Sequence, residues 1–256
     1  MGRRAQGRFS NGSGRSRTGR PDSRPCGGHS HRWPGLLLAA VLGLLASTGG
    51  GSAGEVDLLR ESYRQAAREG LPENAVVSAS GTFIGPRAVL TSAHVVSGCA
   101  AFSVENPQLG YATAQLGSVD ADRDVAVLVT SFPSAHVAAL SQIVSGPELD
   151  VRGYAASLPG NAPARSYRAH RRSVAEGAIL RLTLGQRLPA GLSGGPVIDA
   201  AGAVVGVLSG RLNEDERQAF ASPVHGFART ITAYAGEAPG ARGDVGAAVV
   251  KVQCTR

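Results

Sequence analysis

The sequence predicts an all-β protein built in two halves, and three observations carry that reading. After residue 74 almost every apolar run is short, rich in Val, Ala, Ile and Thr, and bounded by Gly, Pro, Asp or Ser at 8 to 12 residue spacing. The 35 Gly and 14 Pro among 256 residues, with 43% apolar side chains, describe a loop-rich chain that can still bury a sizeable core. A Pro- and Ser-bearing connection over residues 131–147 separates two strand series of similar length.

Residues 1–35 hold eight Arg and one Asp, which is the whole of the formal charge of +7; the rest of the chain balances 18 basic against 18 acidic side chains. Phosphate-seeking charge is thus confined to one low-complexity arm, and no nucleic-acid partner is expected. Residues 36–46 are an eleven-residue apolar run, preceded by Arg32 and followed by a small-residue stretch with Gly51-Ser52-Ala53. That is the layout of an export signal cut after Ala53, and the same Arg- and Ser-rich composition also suits an organelle transit peptide. The run is too short to cross a bilayer, which needs about 20 residues, so no stable membrane span is expected. Residues 1–53 are therefore expected to be disordered or removed, leaving a secreted or periplasmic protein.

Residues 55–69 read as a helix, with Val56, Leu59, Tyr63 and Ala66 three and four apart, Gly70 as its stop and Pro72 beyond. From Val76 the period changes to that of strands. Residues 76–84, 88–91, 101–104, 111–119 and 124–130, five runs, are the first series and are expected to make up one six-stranded barrel. The second series is 149–155, 167–174, 178–184, 196–199, 204–209 and 219–224. Residues 227–234 read as a short closing helix, 236–243 as a flexible link and 245–253 as a last strand that carries Cys254.

Of the three cysteines, Cys26 would leave with the signal. Cys99 and Cys254 remain as an even number in an oxidising compartment, so they are expected either to bridge or to stay as two buried thiols. Neither stands at metal-ligand spacing to another Cys or His, and no metal or cofactor is expected.

Three places hold polar side chains where an all-β core would not put them by default. One is Thr91-Ser92-Ala93-His94-Val95-Val96, a histidine just after a strand. Another is Asp122-Arg123-Asp124 at the mouth of the apolar run Val125-Ala126-Val127-Leu128. The last is Gly191-Leu192-Ser193-Gly194-Gly195-Pro196, a serine in a glycine-dense turn that leads into a strand. His136, His170 and His225 sit beside no such motif and are expected at the surface.

In the order His, Asp, Ser, these motifs make the chain resemble the trypsin-like, chymotrypsin-fold serine peptidases, nearest to the compact bacterial HtrA/Deg branch. The stretch V-V-G-V-L-S-G from Val204 and F-A-x-P from Phe220 are similar to that branch as well. The resemblance covers roughly residues 74–235 and leaves no sequence for a peptide-binding PDZ domain. It implies two six-stranded antiparallel barrels with the site between them. On this reading residues 54–71 are an outer helix, 72–235 the peptidase domain (barrel one 72–130, barrel two 147–235) and 236–256 a link and strand.

The resemblance also assigns roles. A serine hydroxyl is a poor nucleophile until a neighbouring base takes its proton; Ser193 is implied as the nucleophile and His94 as the base. Asp124 would hold the imidazole, with Asp122 as its competitor, and the backbone N–H groups of Gly191 and Ser193 would bind the oxyanion. Protein or peptide substrates follow, through an acyl-enzyme intermediate. Residues 188–190 and Ser209, Gly210 and Arg211 would bind substrate, Ser209 through substrate backbone, with Ser222 near the base of the pocket. No acid lies in residues 185–190, so a small or medium apolar side chain is the expected specificity, while Arg187 or Arg211 could favour an acidic one. The chain also departs from the family. Leu192 stands where the digestive enzymes carry an aspartate that pairs with a new amino terminus, so activation by that cleavage is not expected. Ser80 stands where the animal enzymes carry a cysteine that bridges to one beside the histidine. The alternative function is a catalytically silent binding protein on the same scaffold; oligomeric state is left open.

Overall fold

A computed structural model describes residues 75–172, 179–211, 217–234 and 244–256. The export signal, the helix expected over 55–69 and the link expected over 236–243 lie outside the described residues. Before residue 131 the chain lays down β1 (Val76–Gly85), β2 (Ala88–Thr91), β3 (Ala101–Asn106), β4 (Gly110–Asp120) and β5 (Val125–Thr130). A single helical turn, α1 (Ala93–Val96), stands between β2 and β3. Barrel two is written by β6 (Glu148–Gly153), β7 (Arg165–Arg171), β8 (Leu180–Leu184), β9 (Pro196–Asp199), β10 (Val204–Arg211) and β11 (Gln218–Pro223). It closes in the order β10-β11-β8-β7-β6-β9. Then come α2 (Val224–Thr232), α3 (Val245–Ala248) and β12 (Val249–Thr255).

The end of the chain does not trail outside the barrels. β12 pairs antiparallel with β1 on one side and β3 on the other, so barrel one reads β1-β12-β3-β4-β5-β2. Residues 72–130 supply five of its strands and residues 249–255 the sixth. The boundary expected at residue 130 is corrected accordingly. Without β12, β1 and β3 would each present a row of unpaired N–H and C=O groups along an open edge. The last strand also begins later than residue 245, because the Asp244 carboxylate accepts the Gly246 N–H at 2.9 Å and caps a helical turn first. Cys99 and Cys254 form a disulfide with their Cα atoms 5.6 Å apart, which pins β12 to the segment just after α1.

The two antiparallel barrels explain why several strands read as unbroken apolar runs. Side chains alternate across a strand, and in β5 Ala126 and Leu128 join the core of barrel one while Val125 and Val127 face the other way. There they meet Leu90, Val207, Val224, Phe227 and Ile231, a second layer shared by both barrels and α2. A strand buried on both faces needs no polar alternation. β4 is the counterexample: it exposes most of its residues, and its pattern is correspondingly mixed.

Candidate active site

His94 lies on α1, held because its neighbours Ala93, Val95 and Val96 are buried in the core of barrel one. Ser92, at the start of this turn, sends its hydroxyl to the Leu208 carbonyl of β10 at 2.9 Å, so the turn is tied to barrel two. The His94 imidazole keeps 17% of its side chain exposed. Its Nδ1 lies 3.0 and 2.9 Å from the two oxygens of Asp124, and the His94 backbone N–H donates to Asp124 Oδ1 at 2.9 Å. Asp124 is fully buried. A carboxylate can only accept, so Nδ1 carries the ring proton and Nε2 is left with its lone pair. Burial alone would push the His94 pKa down, but the charge of Asp124 and its hydrogen bond outweigh that and hold it above the ordinary histidine value.

Asp124 is the one non-glycine residue with positive φ among the described residues, at 51°. Asp tolerates this left-handed backbone better than most side chains. It sits at the end of a tight turn in which the Arg123 N–H bonds to Asp120. Asp122, the competing acid, is exposed; Asp124 is the acid in contact with His94. The turn is braced by barrel two and by the helix that follows it. Arg123 Nη1 donates to the Gly226 carbonyl at 2.8 Å, Thr230 Oγ1 to Asp120 Oδ2 at 3.2 Å, and the Ser222 hydroxyl to the Arg123 carbonyl.

Ser193 occupies the second position of a turn closed by the Gly195 N–H on the Leu192 carbonyl at 2.9 Å. Gly194 at the third position has φ +82°, the sign a type II turn requires there. A Cβ on Gly194 would also overlap Ser80 O and Thr91 Oγ1 and reach 3.0 Å from the Ser92 N. This close approach sets the serine turn against the residues that lead into His94. Two more bonds fix it: the Ser80 N–H donates to the Ser193 carbonyl at 2.9 Å and the Gly194 N–H to the Leu208 carbonyl at 2.8 Å. Leu192 is buried in the core of barrel two, while Ser193 stays partly exposed. Among the described residues the N–H groups of Gly191 and Ser193 enter no backbone hydrogen bond.

Beside the turn lies a cavity of about 240 Å³. Leu188, Pro189 and Ala190 line it together with Leu208, Gly210 and Arg211, and Gly191, Leu192 and Ser193 complete the lining. Arg211 Nη1 donates to the Leu188 carbonyl at 3.3 Å. Ser209 and Ser222 are not among the lining residues. Ser209 is 2% exposed with its hydroxyl buried, and Ser222 turns its hydroxyl to Arg123.

The bracing residues escaped the sequence reading. Thr91, Ser92 and Arg123 lie inside the motifs and Ser80 outside them, but the sequence assigns none of the four a bracing role. The usable signal was burial of a polar side chain inside an apolar strand, and Lys251 in Val249-Val250-Lys251-Val252 shows it most plainly.

A family model described as a trypsin-like peptidase domain matches residues 79–207. No curated protein matches the sequence. Among solved structures, the fold is shared with the active form of the Rv3671c protease from M. tuberculosis. That match has TM-score 0.52 and 20% identity over 74% of this chain and 91% of that one. The inactive form of a serine-to-alanine mutant of Rv3671c gives 0.51 and 20% over 75% and 97%. The serine endoprotease from Yersinia pestis is 23% identical over 68% of this chain and 66% of its own, with TM-score 0.49.

Proposed function

Since the chain belongs to the trypsin-like peptidase family and is a serine endopeptidase, we propose that it works through a Ser193, His94 and Asp124 triad and an acyl-enzyme. The observation that carries this is the His94 imidazole bonded through Nδ1 to a buried carboxylate, which leaves Nε2 as a base. Ser193 Oγ attacks the scissile carbonyl carbon while its proton passes to Nε2, and Asp124 stabilises the imidazolium that forms. The N–H groups of Gly191 and Ser193 hold the oxyanion, each worth roughly 3 kcal/mol to the transition state. Collapse breaks the C–N bond, with the proton returning from His94 to the leaving amine. Water then repeats the sequence on the ester and frees Ser193. The cavity lined by Leu188, Leu192 and Leu208 suits a small or medium apolar side chain ahead of the cleaved bond.

A fluorophosphonate probe tests the triad because it reacts with an activated serine. Labelling is expected in the wild type and lost in Ser193→Ala and in His94→Ala. Correctly folded wild type that takes no label contradicts the reading and favours the silent binder. Export is part of the same proposal, supported by a disulfide, which persists in oxidising compartments. Mass spectrometry of the mature protein should find an amino terminus near residue 54; one upstream of Arg32 would contradict it.

A further inference from the structure

We propose that Ser80 and Lys251, a cross-strand pair on barrel one, are positioning residues for the oxyanion hole. The inference rests on the assignment of the Gly191 N–H to that hole. The register of β1 and β12 sets Ser80 directly opposite Lys251, so their side chains leave the sheet on the same face. Both are buried, at 0% and 6% exposure. A lysine in such a place is costly unless its ammonium is hydrogen-bonded, and here both residues spend their polar groups on backbone of barrel two.

Ser80 Oγ accepts the Tyr154 N–H at 2.8 Å and donates to the Gly191 carbonyl at 2.8 Å. Lys251 Nζ donates to the Ala156 carbonyl at 3.3 Å and to the Leu158 carbonyl. The segment from Tyr154 to Leu158 is therefore held at its start by Ser80 and further on by Lys251. This segment is what Gly191 rests on: a Cβ there would strike Ala156 N and come within 2.7 Å of Tyr154 O. It also holds the Ala190 carbonyl, through the Ala156 N–H at 2.7 Å.

A peptide group is planar, with its C=O and N–H pointing in opposite directions. Fixing the Ala190 carbonyl on Ala156 thus fixes where the Gly191 N–H points, and Lys251 secures the residue that does the fixing. Ser80 pins the next peptide through the Gly191 carbonyl. Gly191 has φ +100° and no side chain, so its two flanking peptides could otherwise rotate at little cost. Barrel one, which supplies neither of the proposed oxyanion donors, thereby secures the aim of the Gly191 N–H.

The test compares wild type with Ser80→Ala, Lys251→Met and Lys251→Arg on a chromogenic peptide substrate. It reads kcat and KM separately, the inhibition constant of a peptide aldehyde, the pH profile and thermal unfolding. Loss of aim costs the transition state and spares substrate binding, so kcat should fall about tenfold to a hundredfold in Ser80→Ala and about tenfold in Lys251→Met. KM should stay within about threefold, and aldehyde affinity should fall in step with kcat. The pH profile should keep its shape, because His94 and Asp124 are untouched, and Lys251→Arg should recover part of the loss. Ser80→Ala removes a single oxygen, so that arm remains readable if Lys251→Met unfolds. Folded variants with wild-type kcat, or with lower kcat and unchanged aldehyde affinity, overturn the inference while leaving the triad intact. A wild type without turnover overturns both.

Discussion

The two barrels have the same number of strands but are closed in different ways. Barrel two is written by one stretch, β6 to β11, each strand taking partners from within that stretch. Barrel one borrows β12 from the far end of the chain and secures it with a disulfide between residues 155 apart. Bringing such distant segments together carries a large loop-closure entropy, which a cross-link moves out of folding by restricting the unfolded chain. The half of the site holding His94 and Asp124 thus depends on the chain's last residues, while the half holding Ser193 does not depend on them for barrel closure. Each half is nevertheless braced from across the site: Arg123 by Ser222 of β11 and Gly226 of α2, and Ser193 by Ser80 of barrel one.

The strongest way to break this division of labour is to remove one side chain from either half. Ser193→Ala or His94→Ala should each lower turnover by about a millionfold with unfolding temperature unchanged, because the two act as a unit. Equal losses, measured by peptide hydrolysis, would tie the halves together; a tenfold effect of either would separate them.

Asp124→Asn comes next, with kcat/KM expected to fall about a thousandfold to ten-thousandfold. The pH profile gives the sign. On the proposed mechanism turnover needs neutral His94, so activity is expected to rise with pH through the raised histidine pKa. Losing the carboxylate leaves burial alone to act, and the rising limb should move to lower pH. Stability has the opposite dependence: the charged pair contributes fully below the unfolded histidine pKa, and the contribution is lost as pH rises through the raised one.

Cutting the disulfide sharpens the contrast between the barrels. Reduction, or Cys254→Ser, should destabilise the fold by up to about 5 kcal/mol on chain-entropy arithmetic. Amide exchange should accelerate in β1, β3 and β12 before β6 to β11; equal acceleration everywhere would show that the barrels open together. The smallest effect is expected of Arg123→Ala, which removes the Arg123–Gly226 bond. A loss of about 1–2 kcal/mol and a severalfold lower kcat/KM should appear, read by thermal unfolding and peptide hydrolysis.

What the sequence made legible follows the same line. His94, Asp124 and Ser193 stood out as candidates because the proposed chemistry needs particular residue types, and each stands in a local signature: a histidine after a strand, an acid before one, a serine among glycines. Of these the fold brings His94 and Asp124 into direct contact. The strands of both barrels were equally open to reading, from their Val-rich runs and turn residues. The sixth strand of barrel one was misplaced because neighbours in space were inferred from neighbours in sequence, which holds for barrel two and fails for β12. Ser80 and Arg123 could not be read, since a single polar residue in a mixed strand or turn has no pattern until the fold shows what it touches. Lys251 stands out as a charge in an apolar run, but only the fold shows what it binds. Ser209 keeps its side chain buried at a bulge in β10, which leaves only its main chain for the substrate contact that the resemblance implies.

The most direct measurement is to mix the enzyme with an activated peptide ester, quench in acid and map the modified residue by mass spectrometry. An acyl group on Ser193 that forms in wild type, fails to form in His94→Ala and clears on return to neutral pH is the predicted result. Hydrolysis with no adduct on Ser193, or an adduct on another residue that clears at the rate of turnover, would contradict the account.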